Sequence, residues 1–122
     1  MDTNGYCNLD TETGEGLGVI EFSVPLNIRK WRIEIEFDSP VTSIEASEGG
    51  NEQCVPDKNK CSFENEDWNG KIEKSDLLRL DFAAIFDKDN SQPKMEKVVF
   101  QGCTYGFCNG WSLFGTVCVK ED

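Results

Sequence analysis

The chain predicts an antiparallel all-β domain, and three observations carry that expectation. Trp31-Arg32-Ile33-Glu34-Ile35-Glu36-Phe37 alternates apolar and charged residues without a break, the period-two pattern of a strand with one dry and one wet face. Similar alternation recurs along the chain, separated by Gly, Pro, Asn and Asp clusters. No stretch carries the apolar spacing of an amphipathic helix. Function is therefore expected on sheet faces and loops.

Residues 1–16 are polar and Gly-rich, with Cys7 as the tether. Ile20, Phe22, Val24 and Leu26 alternate with Glu21, Ser23 and Pro25 and predict a first strand, which Pro25 places at an edge or a bulge. Asn27 to Lys30 is a turn, and residues 31–37 form the central strand. Asp38-Ser39-Pro40 stops it, and Val41 to Ala46 is read as another short strand. Residues 47–60 form a long hydrophilic excursion whose tip is flanked by Cys54 and Cys61, and a bond between them would staple it. Strand character resumes from Cys61 to Glu64 through Phe63. Asn65 to Gly70 is a turn, signalled by Asn69-Gly70.

Leu78, Leu80, Phe82, Ala84 and Phe86 then alternate over a long strand. Asp87 to Asn90 interrupts, and Met95 to Gln101 makes the next strand, with Val98 and Phe100 on one face. The tail from Gly102 to Gly115 places Tyr105, Phe107, Trp111 and Phe114 among its cysteines. Seven or eight strands of this kind predict a two-sheet sandwich of the immunoglobulin-like or jelly-roll type.

The 122 residues suffice for one domain with its own core. A formal charge of -11, from 23 acidic against 12 basic residues, repels phosphate backbones and anionic lipid surfaces. Neither nucleic acid nor membrane is expected as a partner. Histidine is absent, which removes Ser-His-Asp and Cys-His nucleophile systems and His-ligated metals. A carboxylate pair for glycoside hydrolysis remains chemically open, but no acidic pair is marked out from the rest, so a non-enzyme is expected. Cys7, Cys54, Cys61, Cys103, Cys108 and Cys118 contain no Cys-x-x-Cys pair, so three disulfides are expected and, with them, a secreted protein. The small polar start, Met1-Asp2-Thr3-Asn4-Gly5, reads as a mature form carrying an added initiator Met.

Trp68 stands in a polar turn behind Glu66 and Asp67, a poor position for a core residue and a good one for stacking on the C–H face of a sugar ring or anchoring a protein interface; the competing reading is a ring folded back over the sheet edge. Trp31 shares its face with Ile33, Ile35 and Phe37 and is read as core. The glycine-rich run from Cys103 to Phe114 displays aromatics in the manner of a binding loop; the competing reading is a disulfide-pinned flap that closes one end of the sandwich. Asp87, Asp89 and Asn90 offer hard oxygen ligands at near-alternate positions, a candidate calcium site set against an ordinary solvated turn.

Four motifs in order resemble the family 2 carbohydrate-binding modules: the Trp31 to Ser43 strand and break, Phe63 to Ser75 with its Trp-Asn-Gly-x-Ile turn, Leu80-Asp81-Phe82, and Val99-Phe100-Gln101-Gly102-Cys103. The similarity spans residues 17–103, leaving 104–122 as an aromatic, Cys-containing extension of a single domain, 1–122. It implies a non-catalytic sandwich that binds cellulose or chitin, with Trp31 buried and Trp68 exposed. Of the three coplanar aromatics of the cellulose-binding members, Trp68 matches one; Glu45 stands at the second place and Thr11-Glu12-Thr13-Gly14 at the first. The resemblance also implies a Cys7–Cys103 clasp, with Cys54–Cys61 and Cys108–Cys118 as additional bonds. The competing pairing is Cys7–Cys118 with Cys103–Cys108.

The sequence thus predicts a secreted module that recognises a β-linked polysaccharide through Trp68, Asn69, Tyr105, Phe107 and Trp111, alone or joined to other domains of a larger protein. No cofactor is expected. The alternative is an acidic extracellular structural or adhesive protein, or a calcium-binding one, that keeps the sandwich and has lost the sugar site.

Overall fold

The computed structural model describes residues 6–12, 15–24, 27–86, 94–104 and 108–112. In chain order the strands are β1 (Tyr6–Glu12), β2 (Glu15–Ser23), β3 (Lys30–Phe37), β4 (Val41–Ala46), β5 (Gly49–Val55), β6 (Lys60–Asn65), β7 (Leu77–Phe86), β8 (Met95–Cys103) and β9 (Cys108–Ser112). One 3-10 turn, Pro56–Lys58, joins β5 to β6. The strands form two antiparallel sheets, a four-stranded one in the order β1-β2-β7-β4 and a five-stranded one in the order β5-β6-β3-β8-β9. The expected disulfide-stabilised β-sandwich is the fold.

β3 occupies the centre of the five-stranded sheet. Its dry face buries Trp31, Ile33, Ile35 and Phe37, while Arg32, Glu34 and Glu36 are half-buried on the other side. The wet face is arranged by charge as well. Arg32 lies opposite Glu64, and Glu36 lies opposite Lys60 on one neighbour and Lys97 on the other. Opposite charges facing across a ladder support the register that a one-residue slip would destroy.

The core lies between the sheets and is keyed by aromatic rings. Phe37 meets Phe86 edge-on at 5.1 Å and Phe82 at 6.5 Å, so β3 and β7 interlock across the two layers. Trp31 stands edge-on to Phe63 at 6.2 Å, and Phe63 lies 6.4 Å from Phe82. Gly18 sits directly opposite Phe82 on the neighbouring strand, and a Cβ there would fall 2.1 Å from that ring. The glycine leaves the space that the phenylalanine fills.

Three sequence expectations need correction. Tyr6–Glu12, read as a polar lead-in, is a strand that pairs with β2 along its whole length. β2 is therefore an inner strand ending at Ser23, and the edge or bulge placement drawn from Pro25 does not hold; Pro25 itself lies outside the described residues. The excursion at 47–60 contains β5, which pairs with β6 through backbone bonds that need no apolar alternation.

Cys54 and Cys61 are bonded, as their flanking positions suggested, with their Cα atoms 4.0 Å apart. Cys103 is bonded to Cys108, which overturns the Cys7–Cys103 and Cys108–Cys118 pairings. The physical reason is the β8–β9 hairpin, whose register sets Cys103 directly opposite Cys108. Cys7 lies on the other sheet opposite Ile20, and Cys118 lies outside the described residues.

Candidate functional site

After β6 the chain crosses to the other sheet, and the crossing begins with the turn that carries Trp68. Two asparagines build this turn. Asn65 Oδ1 accepts the backbone N–H of Trp31 at 2.8 Å, while its Nδ2 donates to the carbonyl of Glu66 at 2.8 Å. Asn69 Oδ1 accepts the backbone N–H of Glu66 at 2.7 Å, and its Nδ2 donates to the carbonyl of Glu48 at 2.7 Å. Beneath them the buried Trp31 donates its indole Nε1–H to the carbonyl of Asn69 at 2.9 Å. Gly70 follows where a Cβ would lie 2.5 Å from the Arg29 carbonyl oxygen and 2.6 Å from Asn65 Nδ2.

The residue types of the Trp-Asn-Gly motif each have a local cause. Asn69 ties the turn to itself and to the β4–β5 corner, and Gly70 permits the close approach of Arg29. Trp68 is left outside, 71 % exposed, more than any other large apolar side chain among the described residues. An indole on a turn fixed from both sides loses little freedom when it meets a ligand. Asn69, predicted as a sugar contact, bonds Glu66 through its side-chain oxygen and Glu48 through its side-chain nitrogen.

Arg29 joins this turn to the end of the β8–β9 hairpin. Its carbonyl packs on Gly70, and its N–H donates to the carbonyl of Cys103 at 2.8 Å. Tyr105 and Phe107 lie outside the described residues, as do Asp87, Asp89 and Asn90. The backbone of Trp111 lies on β9 opposite Phe100; its side chain is outside the description. Among the described residues no group of three or more Asp, Glu or Cys side chains is placed to hold a metal.

Sequence reasoning missed the outer face of the four-stranded sheet. Two adjoining depressions, of about 570 and 380 Å³, lie there and share Glu45 and Ala83. The first is also lined by Leu17, Ser47 and Asp81, the second by Glu15, Ser43, Glu52 and Ile85. A signal was available: Leu77, Ala83 and Ile85 are apolar at the outward positions of β7, where strict alternation calls for polar residues.

No family model matches the chain, and no curated protein matches it in sequence. Solved structures do share the fold. An exo-β-N-acetylglucosaminidase of glycoside hydrolase family 20 from Vibrio harveyi, in complex with N-acetylglucosamine, matches at a TM-score of 0.62 and 10 % identity, covering 98 % of this chain and 19 % of that one. The chitin-binding domain of a chitinase from Pyrococcus furiosus matches at 0.52 and 10 % identity, covering 78 % and 92 %. This chain thus spans about a fifth of the length of the first structures it resembles. At such identities the likeness defines the class of fold, a two-sheet antiparallel sandwich.

Proposed function

We propose that this protein is a non-catalytic carbohydrate-binding module, related to the family 2 modules, that recognises a chitin- or cellulose-like β-linked polysaccharide with Trp68 as anchor. The observation that carries the reading is the display of that ring, 71 % exposed on a turn that the side chains of Asn65 and Asn69 hold in place. A large aromatic ring left mostly in water offers its face for stacking on a sugar. The chitin-binding domain of the Pyrococcus furiosus chitinase, which shares the fold, supports the polymer class. Tyr105, Phe107 and Trp111 are proposed to extend the contact, since Cys103–Cys108 closes the segment holding the first two and Arg29 links Cys103 to the Trp68 turn. Secretion is supported by the disulfides, and a place within a larger protein by the match to a fifth of the Vibrio enzyme.

Retention on chitin, on cellulose and on soluble β-glucans tests the reading. Trp68→Ala is expected to weaken retention by about tenfold or more, as for a central aromatic anchor. Its thermal unfolding should stay unchanged because the ring touches little. Absence of retention on every polymer, or equal retention of the variant, would end the proposal.

A further inference from the structure

The two depressions on the outer face form one trough with an apolar floor and acidic walls. Ala83 and Ile85 of β7 make the floor, with Leu17 beside them. Glu15 of β2 lies opposite Ile85, and Glu45 of β4 lies opposite Ala83, so the two carboxylate-bearing strands flank the floor from either side. Adjacent strands are about 4.8 Å apart, which puts the two walls about 10 Å from each other. Asp81 is occupied by Arg79 at 3.4 Å, and Glu52 accepts the N–H of Ala46 at 3.1 Å. Beyond their backbone ladders, the carboxylates of Glu15 and Glu45 make no ion pair or hydrogen bond with another described residue. The trough also joins the Trp68 turn: Ser47, in its lining, bonds to the Asp81 carbonyl, and the next residue, Glu48, is held by Asn69.

We propose that this trough is a binding track for a cationic amino-sugar polymer, a β-linked chain whose sugar amines are free and protonated. The proposal rests on the carbohydrate reading of Trp68 and names the substrate class of that surface. A neutral polysaccharide would offer the carboxylates of Glu15 and Glu45 only hydroxyl donors, weaker than a charged ammonium, and an anionic one would be repelled. A polymer with ammonium groups along its length meets both walls with charge-assisted hydrogen bonds while its C–H faces cover Leu17, Ala83 and Ile85. Charge complementarity selects the occupant.

The test compares retention on chitin, on chitosan and on polylysine in mildly acidic buffer, where the sugar amines are charged. Chitosan should be retained roughly tenfold more strongly than chitin at low salt, with the surplus shrinking as salt rises. The exposed double variant Glu15→Gln/Glu45→Gln should lose the surplus and keep its chitin retention. Equal retention on the two sugars, or a surplus that survives in the double variant, would overturn the proposal while leaving the Trp68 reading intact. Polylysine retention as strong as that of chitosan would also overturn it, by showing charge attraction without sugar recognition. Loss of both sugars from the wild-type protein would remove the carbohydrate reading itself.

Discussion

Trp31 and Trp68 have opposite surroundings and one shared structure. The buried ring holds, through Nε1–H, the carbonyl of the residue that follows the exposed one. A smaller aromatic in the core removes that donor together with part of the buried ring. Trp31→Phe leaves a ring near Phe63 but takes the partner from the Asn69 carbonyl, so a loss of about 1–3 kcal/mol in urea unfolding is expected. Polysaccharide retention should fall with it although Trp68 is untouched. Unchanged stability together with unchanged retention would mean that the turn holds its shape without the indole. The fates of both tryptophans were legible in the sequence, Trp31 from perfect alternation and Trp68 from its charged neighbours. The task of Asn69 was not, because one of its partners, Glu48, lies 21 residues away and only the fold brings it near.

At the level of elements, legibility followed side-chain alternation. β3, β6, β7 and β8 bury regularly spaced apolar residues, and each was placed within a few residues of its position. β1 and β5 lie at the outer edges of their sheets, and Gly49-Gly50-Asn51-Glu52-Gln53 offers no apolar period to read. What holds β5 is its backbone ladder to β6 and the Cys54–Cys61 bond, which joins residues paired directly opposite each other. The chain-entropy model assigns a bond closing so short a loop about 2–2.5 kcal/mol. Cys54→Ser/Cys61→Ser should lower unfolding stability by no more than that and speed amide exchange in β5 ahead of β3. Exchange accelerated equally in both strands would show that β5 does not open on its own. The acidic trough was illegible for a different reason: its walls come from β2 and β4, which meet only across β7.

At the scale of the whole molecule, two short-range disulfides each secure one hairpin, and neither ties sheet to sheet. Cys7 and Cys118 are the cysteines left for a third bond, and a bond between them would enclose nearly the entire chain. Closing a loop of that order removes far more freedom from the unfolded chain than either hairpin bond, about 4.7 kcal/mol for 100 residues. Among its disulfides, a Cys7–Cys118 bond is therefore expected to contribute most to the stability of this domain. Peptide mapping without reduction should recover Cys7 linked to Cys118. Cys7→Ser/Cys118→Ser should lower the midpoint of unfolding about twice as far as Cys54→Ser/Cys61→Ser does. Alkylation that finds both thiols free in the oxidised protein would show that the sandwich holds its ends without a covalent clasp, and a linked peptide joining Cys7 to any other cysteine would show that the clasp is a different one.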